Sequence, residues 1–185
     1  MPLPRCILIA VLSLLGPLTV SAAGQLGFAI GNVNPDGSCK SQNDFEDDFK
    51  AITGSTESTL VRTYSSSDTH GNLCNTPSQV LPAAKNAGFR VLLGTWPDGK
   101  DDTIYNKEKA PIIDADVQQY GDTLFGITVG SEGIYRGTYT SEQLVHWISD
   151  MKKTFPNTKI GTADSWTGWY NGSLDSVITS DIDLA

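Results

Sequence analysis

The chain has 185 residues, which is enough for one domain with its own hydrophobic core. Its 21 acidic residues outnumber its 13 basic residues, so the formal net charge is −8. This excess of negative charge argues against nucleic acid and against anionic membrane surfaces as partners. It suits a soluble, secreted protein whose ligand is neutral.

Residues 1–23 are predicted to be a secretory signal peptide. Arg5 makes the start basic, Ile7 to Leu15 form an apolar run, and small residues at 20–23 suit cleavage. The apolar run is shorter than a bilayer requires, so an anchored helix is the less favoured alternative. The remaining domain, residues 24–185, is expected to be a secreted monomer that has no membrane contact after cleavage.

The cysteines also indicate secretion. Cys6 leaves with the predicted signal peptide, and Cys39 and Cys74 remain as an even pair. In a secreted chain such a pair predicts a disulfide, with two free buried thiols as the alternative. His70 and His146 are far apart and lack the ligand spacing of a metal site, so neither a metal nor another cofactor is predicted.

Short apolar runs alternate with amphipathic stretches along the domain. A continuous apolar run is typical of a strand buried in a parallel sheet. The predicted strands are residues 26–31, 59–64, 89–96, 123–131, 158–163 and 181–185. Helices are predicted to start at the capping residues Ser41, Thr76 and Thr140, and shorter helical segments are predicted within 103–120 and 174–179.

Two helices contain an awkward proline. Pro82 predicts that the second helix either starts late or is kinked, and Pro111 predicts two segments or a bend within 103–120. Two other helices carry clear buried stripes. The stripes consist of Phe45, Phe49 and Ile52 in the first case and of Leu144, Ile148, Met151 and Phe155 in the second.

Repeating strand–helix units predict an α/β fold with a parallel sheet. An open doubly wound sheet and part of a barrel both fit this pattern. The sequence contains no G-x-G-x-x-G, no phosphate-binding loop and no G-x-S-x-G elbow. A nucleotide-binding open sheet therefore has no support.

Glu132 ends the fourth predicted strand, between glycines at 130 and 133. The carboxyl ends of parallel strands are where α/β proteins place their chemistry. On spacing alone, an exposed loop carboxylate without a catalytic role is the more common case.

Six blocks, in this order, resemble the fungal branch of glycoside hydrolase family 17, which comprises secreted or cell-wall β-1,3-glucan hydrolases and transglycosylases. They are GFAIG at 27–31, DGSCKSQNDF at 36–45, LVRTY at 60–64, VLLGTWPD at 91–98, VGSE at 129–132 followed by Tyr135 and Arg136, and GTADSW at 161–166. The resemblance covers essentially all of the domain. It implies a (β/α)8 TIM barrel that binds β-1,3-glucan, here an incomplete barrel of about five βα units plus a sixth strand.

The resemblance also implies roles for single residues. The family's proton donor ends strand four, which corresponds to Glu132, and its nucleophile ends strand seven. No such strand is present in 185 residues, so the chain is expected to lack the nucleophile. The alternatives to an active glucanase are a non-catalytic glucan-binding cleft and an inactive product. The remaining glutamates lie on predicted helices or at element starts and are not expected to substitute: Glu46, Glu57, Glu108 and Glu142.

Further residues are predicted to line the cleft. Tyr64 and Trp96 end strands two and three and are predicted sugar platforms, with core filling as the alternative. Arg62 shares a strand face with Tyr64, where it either binds a catalytic carboxylate or fills the barrel interior. Ser131 replaces an Asn that contacts the sugar 2-hydroxyl in many relatives.

The predictions for the remaining cleft and loop residues are less direct. Asp164 and Trp166 follow strand five and are predicted to face the substrate. Tyr135 and Arg136 are predicted to anchor the loop after Glu132. Asn171 begins an Asn-Gly-Ser sequon and is predicted to carry a glycan if exposed.

Overall fold

The computed structural model describes residues 26–185, so the predicted signal peptide lies outside the described residues. Five parallel strands form one sheet in which each strand pairs with its neighbour along the chain. The strands are β1 (Phe28–Ala29), β2 (Leu60–Arg62), β3 (Arg90–Thr95), β4 (Leu124–Ser131) and β5 (Ile160–Ala163). A doubly wound sheet would reverse its strand order at a switch point, so the observed order favours the barrel.

The helices follow the strands along the chain, and the longer ones bury apolar residues in the core. They are α1 (Gln42–Ser55), α2 (Thr76–Ala87), α3 (Asp102–Asp114), α4 (Gly133–Arg136), α5 (Ser141–Thr154), α6 (Trp166–Tyr170) and α7 (Asp175–Thr179), with a 3₁₀ helix at Val117–Thr123. Within the described part of the chain, none of these helices has the length and apolar character needed to cross a membrane.

The two ends of the sheet are shorter than predicted. β1 has only two residues. The segment 181–185 makes a single parallel bridge, from Leu184 to Gly161 of β5. Thr162 N–H donates to the Leu184 carbonyl (3.1 Å) and Asp183 N–H donates to the Ile160 carbonyl (2.8 Å). The predicted sixth strand is therefore present only as this isolated bridge beside β5.

The helix starts at Ser41 and Thr140 are confirmed. Ser41 and Asp44 form a reciprocal capping box on α1, and Thr140 accepts the Gln143 N–H at the start of α5. Both predicted stripes are buried, with Ile52 only partly so. The start at Thr76 is wrong by one residue, because Asn75 is the N-cap of α2.

The structure contradicts the late start of the second helix and the break at Pro111. α2 starts early and passes through Pro82, and α3 passes through Pro111. The break between α3 and the 3₁₀ helix comes instead at Asp116, which adopts a left-handed conformation with φ 45°. Two segments are therefore present, as predicted, but the proline is not where they separate. The segment 166–170, for which no helix was predicted, is the short helix α6.

Two buried tyrosines are expected to make the fold sensitive to alkali. Burial raises the pKa of Tyr105 and of Tyr139, and the hydrogen bond from the Tyr105 hydroxyl to Asp150 adds to the effect. An unfolded tyrosine has a pKa near ~10. The folded state therefore keeps both protons above that pH while the unfolded state releases them, so stability falls as pH rises past ~10.

Alkaline titration should show these two groups directly. Two of the six tyrosines should ionise only as the fold is lost, when tyrosinate absorbance and circular dichroism are followed together. Tyr139→Phe should remove one proton from the late step. Smooth ionisation of all tyrosines before unfolding would contradict the expectation.

Candidate active site

Glu132 lies at the carboxyl edge of the sheet, immediately after β4. Its backbone adopts the left-handed conformation, with φ 54°, which is uncommon for a residue other than glycine. The Glu132 N–H donates to the Ala163 carbonyl at 2.9 Å, and its own carbonyl accepts the Arg136 N–H at 2.9 Å. The residues after Glu132 form the helical turn α4, where a loop had been predicted. The chain therefore turns sharply and leaves the Glu132 side chain exposed.

The glycines beside Glu132 make room for a protein side chain. Gly130 has φ 81°, a conformation that favours glycine. A Cβ at Gly130 or at Gly133 would collide with the buried ring of Tyr139. The group that approaches both glycines closely is therefore the ring of Tyr139.

Asp164 holds the turn from the next strand–helix unit. Its carboxylate accepts backbone N–H groups from Ile134 (3.0 Å), Tyr135 (3.2 Å) and Ser165 (2.7 Å). The first two N–H groups lie in the first turn of α4, where a helix offers them no backbone acceptor. Asp164 therefore fixes the segment that follows Glu132.

A cavity of about 530 Å³ lies over Glu132. It brings together six of the seven predicted site residues, and its lining is Arg62, Tyr64, Trp96, Ser131, Glu132, Ala163 and Asp164. Trp166 is not part of this lining. It is 76% exposed and its ring lies 6.4 Å from that of Tyr170, so the structure does not bring it to the cavity.

An aromatic pair forms one wall of the cavity. The Tyr64 and Trp96 rings meet edge to face with centroids 6.1 Å apart, and Tyr64 is 38% exposed. The Arg136 guanidinium lies 4.8 Å from the Trp96 ring centroid and pairs with Asp98 at 3.1 Å. It also donates to the Ser131 carbonyl at 3.0 Å. The predicted anchoring role of Arg136 agrees with these contacts, whereas the Tyr135 side chain is exposed.

Arg62 lies beneath the aromatic pair. Its Nη2 donates to Ser131 Oγ at 3.3 Å, and its guanidinium lies 4.6 Å from the Tyr64 ring centroid. Burial lowers the pKa of Arg62, and the nearby Tyr64 and Glu132 act in the opposite direction. Its Nε is buried and has no partner among the described residues. Arg62 thus contacts Ser131 rather than forming an ion pair with a carboxylate.

Cys39 and Cys74 form a disulfide, with Cα atoms 5.2 Å apart. The predicted pairing is confirmed, and the alternative of two free thiols is wrong. The bridge joins the loop after β1 to the loop after β2 at the edge of the sheet that carries Glu132. Both loops are also linked by Asn32, whose side chain donates to the Ser67 carbonyl at 2.6 Å.

Glu108 is the buried acid that the sequence interpretation set aside. It lies on α3, is 2% exposed, and its carboxylate reaches the loop after β2 and the end of β3. Helical position alone gave no signal of this, because the partners of Glu108 lie 12 to 43 residues away along the chain.

Carboxylates are scarce on the cavity wall. Among the described lining residues only Glu132 and Asp164 carry one. Asp164 is occupied by backbone N–H groups, so Glu132 is the carboxylate that the described residues leave free for a ligand. Residues 26–185 also contain no group of three or more His, Cys, Asp or Glu able to hold a metal ion.

Comparison with known proteins identifies the family. The model of the BtgE/BtgC glycoside hydrolase domain matches residues 27–185. A glucan 1,3-beta-glucosidase of Arthroderma benhamiae is 42% identical over 166 residues, which cover 90% of this chain and 51% of that protein. A glucan 1,3-beta-glucosidase of Saccharomyces cerevisiae is 35% identical and is covered to 54%. The chain thus spans about half the length of the curated relatives it matches.

Solved structures agree on the architecture. A glycoside hydrolase family 17 beta-1,3-glucanosyltransferase from Rhizomucor miehei aligns with a TM-score of 0.65 at 25% identity, over 83% of this chain and 54% of that one. An active-site mutant of the Rhizomucor miehei beta-1,3-glucanosyltransferase, in complex with laminaritriose, aligns with a TM-score of 0.63 at 22% identity, over 86% and 69%. The five parallel strands are therefore part of a TIM-barrel type of fold. The resemblance found in the sequence is confirmed, and the chain belongs to the family of the BtgE/BtgC glycoside hydrolase domain.

Proposed function

We propose that the protein carrying this chain is a retaining glycoside hydrolase that acts on β-1,3-glucan, with Glu132 as its proton donor. The observation that carries the proposal is the exposed Glu132, at the carboxyl edge of the sheet beside a cavity walled by Tyr64 and Trp96. The names of the relatives support the substrate class, since they are glucan 1,3-beta-glucosidases.

The mechanism uses Glu132 twice. Its carboxyl group donates a proton to the glycosidic oxygen that leaves, and its carboxylate later takes a proton from the attacking water or sugar hydroxyl. Between these steps a second carboxylate, ~5–5.5 Å away, holds the sugar covalently. The described residues do not present that second group. We propose that it belongs to the part of the barrel that the relatives have and this chain does not span.

The other cavity residues are proposed to hold the sugar. Tyr64 and Trp96 provide flat apolar surfaces for sugar rings. Ser131 Oγ accepts from Arg62, which leaves its hydroxyl proton free to donate to a sugar hydroxyl. Asp164 acts by fixing the turn after Glu132, and a sugar contact from Trp166 stays a prediction.

A laminarin assay tests the proposal. The native gene product should release reducing sugar from laminarin and not from a β-1,4-glucan. The isolated 185-residue chain should release none above blank, because the nucleophile is expected to be absent. Turnover by the isolated chain would contradict the missing nucleophile, and no turnover by the native product would contradict the proposal.

Glucan binding without cleavage is the second candidate function, and Trp96→Ala addresses it. The substitution removes one aromatic wall of the cavity and should reduce retention on insoluble β-1,3-glucan by about tenfold, a loss of about 1.4 kcal/mol. Tyr170→Ala is the matched control, since Tyr170 is an exposed aromatic outside the cavity. Equal losses in both variants would show that retention is non-specific.

We also propose that the protein is secreted to the extracellular space or cell wall and is glycosylated at Asn171. The predicted signal peptide, the disulfide and the exposed position of Asn171 support this. Mass spectrometry of culture medium should find a start near residue 23 or 24 and a glycan on the Asn171 peptide.

A further inference from the structure

Glu108 is a buried carboxylate that the proposed chemistry does not use. Its Oε2 accepts the Ser66 N–H at 2.8 Å, the Ser65 hydroxyl at 2.9 Å and the Trp96 N–H at 3.4 Å. Its Oε1 accepts the Ser65 hydroxyl at 3.0 Å and the Ser67 hydroxyl. Four donors from two segments thus converge on one side chain.

These segments carry the two cavity aromatics. Residues 65–67 directly follow Tyr64, and Trp96 directly follows β3. Glu108 therefore ties the backbone beside Tyr64 to the backbone of Trp96, and it is not among the residues that line the Glu132 cavity. A second cavity of about 450 Å³ is lined by both Trp96 and Glu108.

The partners of Glu108 are dipoles and not cations. Among the described residues no Lys, Arg or His forms an ion pair with it. A buried carboxylate is costly unless hydrogen bonds satisfy it. The donors must therefore stay in place around it, which restricts the position of the segments that supply them.

Two other hydrogen bonds hold the loop at residues 65–67, and neither of them involves Trp96. The Cys74 N–H donates to the Ser66 carbonyl at 2.7 Å, and Asn32 donates to the Ser67 carbonyl. These bonds fix residues 65–67 relative to Asn32 in the loop after β1 and to Cys74. Within residues 26–185, Glu108 supplies the hydrogen-bonded link between this loop and the Trp96 backbone.

We propose that Glu108 is a positioning residue that sets the spacing of the Tyr64–Trp96 pair and so the affinity of the cleft for glucan. The inference rests on the proposed function, because it assumes that these two rings bind sugar. Glu108 touches neither substrate nor Glu132 in this scheme, and it acts only through the backbone beside the two rings.

The test compares Glu108→Ala, Glu108→Gln and Asp150→Ala in the native gene product. Alanine leaves the Ser66 and Trp96 N–H groups buried without an acceptor. Glutamine can keep its oxygen at those N–H groups and turn its amide toward the Ser65 and Ser67 hydroxyls, which can accept. Asp150 is the matched control, because it also ties α3 to a neighbouring element, through Tyr105 and Lys109, yet lies outside the cavity lining.

Affinity for laminaritriose and the near-ultraviolet circular dichroism of the aromatic pair are the readouts. Glu108→Ala should raise KM and weaken laminaritriose binding by roughly tenfold or more, with a smaller change in kcat. It should also reduce the aromatic dichroism. Glu108→Gln should bring the affinity to within about threefold of the wild type and restore the dichroism, and Asp150→Ala should leave the affinity unchanged even if it lowers Tm.

The outcomes separate the two proposals. If the wild type neither binds nor cleaves β-1,3-glucan, the proposed function fails. If the wild type binds and a folded Glu108→Ala binds equally well, the positioning role is overturned. Equal loss of affinity in Glu108→Ala and Asp150→Ala would also overturn it, since the effect would then follow stability alone. If Glu108→Ala does not fold, loss of affinity in a folded Glu108→Gln beyond tenfold would overturn the proposed geometry.

Discussion

Glu132→Gln is expected to lower kcat on laminarin by about 10²–10⁴-fold, the range for loss of a general acid–base group. The amide keeps the size of the side chain but cannot donate a proton to the leaving oxygen. KM should change little, because the substitution leaves the wall formed by Tyr64 and Trp96 and the hydrogen bonds to Asp164 in place. Initial rates of reducing-sugar release at several laminarin concentrations measure both constants.

An activated substrate provides the internal control. A dinitrophenyl β-glucoside has a leaving group that needs no protonation, so its kcat/KM, which reports formation of the covalent intermediate, should fall far less than the kcat/KM for laminarin. Glu57→Gln is a matched variant, since Glu57 is an exposed carboxylate outside the cavity lining. Wild-type activity in Glu132→Gln, or an equal loss of kcat/KM on both substrates, would rule out the proton-donor role.

Replacing both cysteines by serine is expected to lower the free energy of unfolding by ~3–4 kcal/mol. The bridge spans 35 residues, and closing a loop of that length restricts the unfolded chain by about this amount in the chain-entropy model. Urea unfolding of the Cys39→Ser/Cys74→Ser protein, compared with the wild type, measures the difference.

A reductant separates the bridge from the substitution itself. The reduced wild type should unfold at nearly the same urea concentration as the double variant, and the double variant should not respond to reductant. A difference below about 1 kcal/mol would show that the unfolded chain or the two loops are restricted by other means. Loss of the bridge should also loosen residues 65–67, because Cys74 N–H bonds to the Ser66 carbonyl.

The sequence predicted those features that have local causes. Apolar runs located all five strands, and the capping residues Ser41 and Thr140 located two helix starts. The end of the fourth strand predicted the position of Glu132. The strand ends differ from the prediction, since β1 has only two of its six predicted residues.

Features that depend on distant contacts were missed. Asp164 lines the cavity, but the sequence did not show that its carboxylate accepts two N–H groups that lie 29 and 30 residues earlier. Glu108 had been set aside as a helix residue, and its burial follows from donors on two other segments. Periodicity describes one element at a time and carries no information on such pairs. The helical turn α4 was missed for the same reason, because its start is stabilised by Asp164.

The bond between Asp164 and α4 defines the smallest transferable piece of this site. Glu132 belongs to the fourth strand–helix unit, and the carboxylate that holds its turn belongs to the fifth. A graft of residues 124–136 into another barrel would transfer Glu132 without Asp164, which holds the turn after it. Recombination between family members should therefore preserve the geometry around Glu132 only when the crossover falls before β4 or after Asp164, so that units four and five are inherited together.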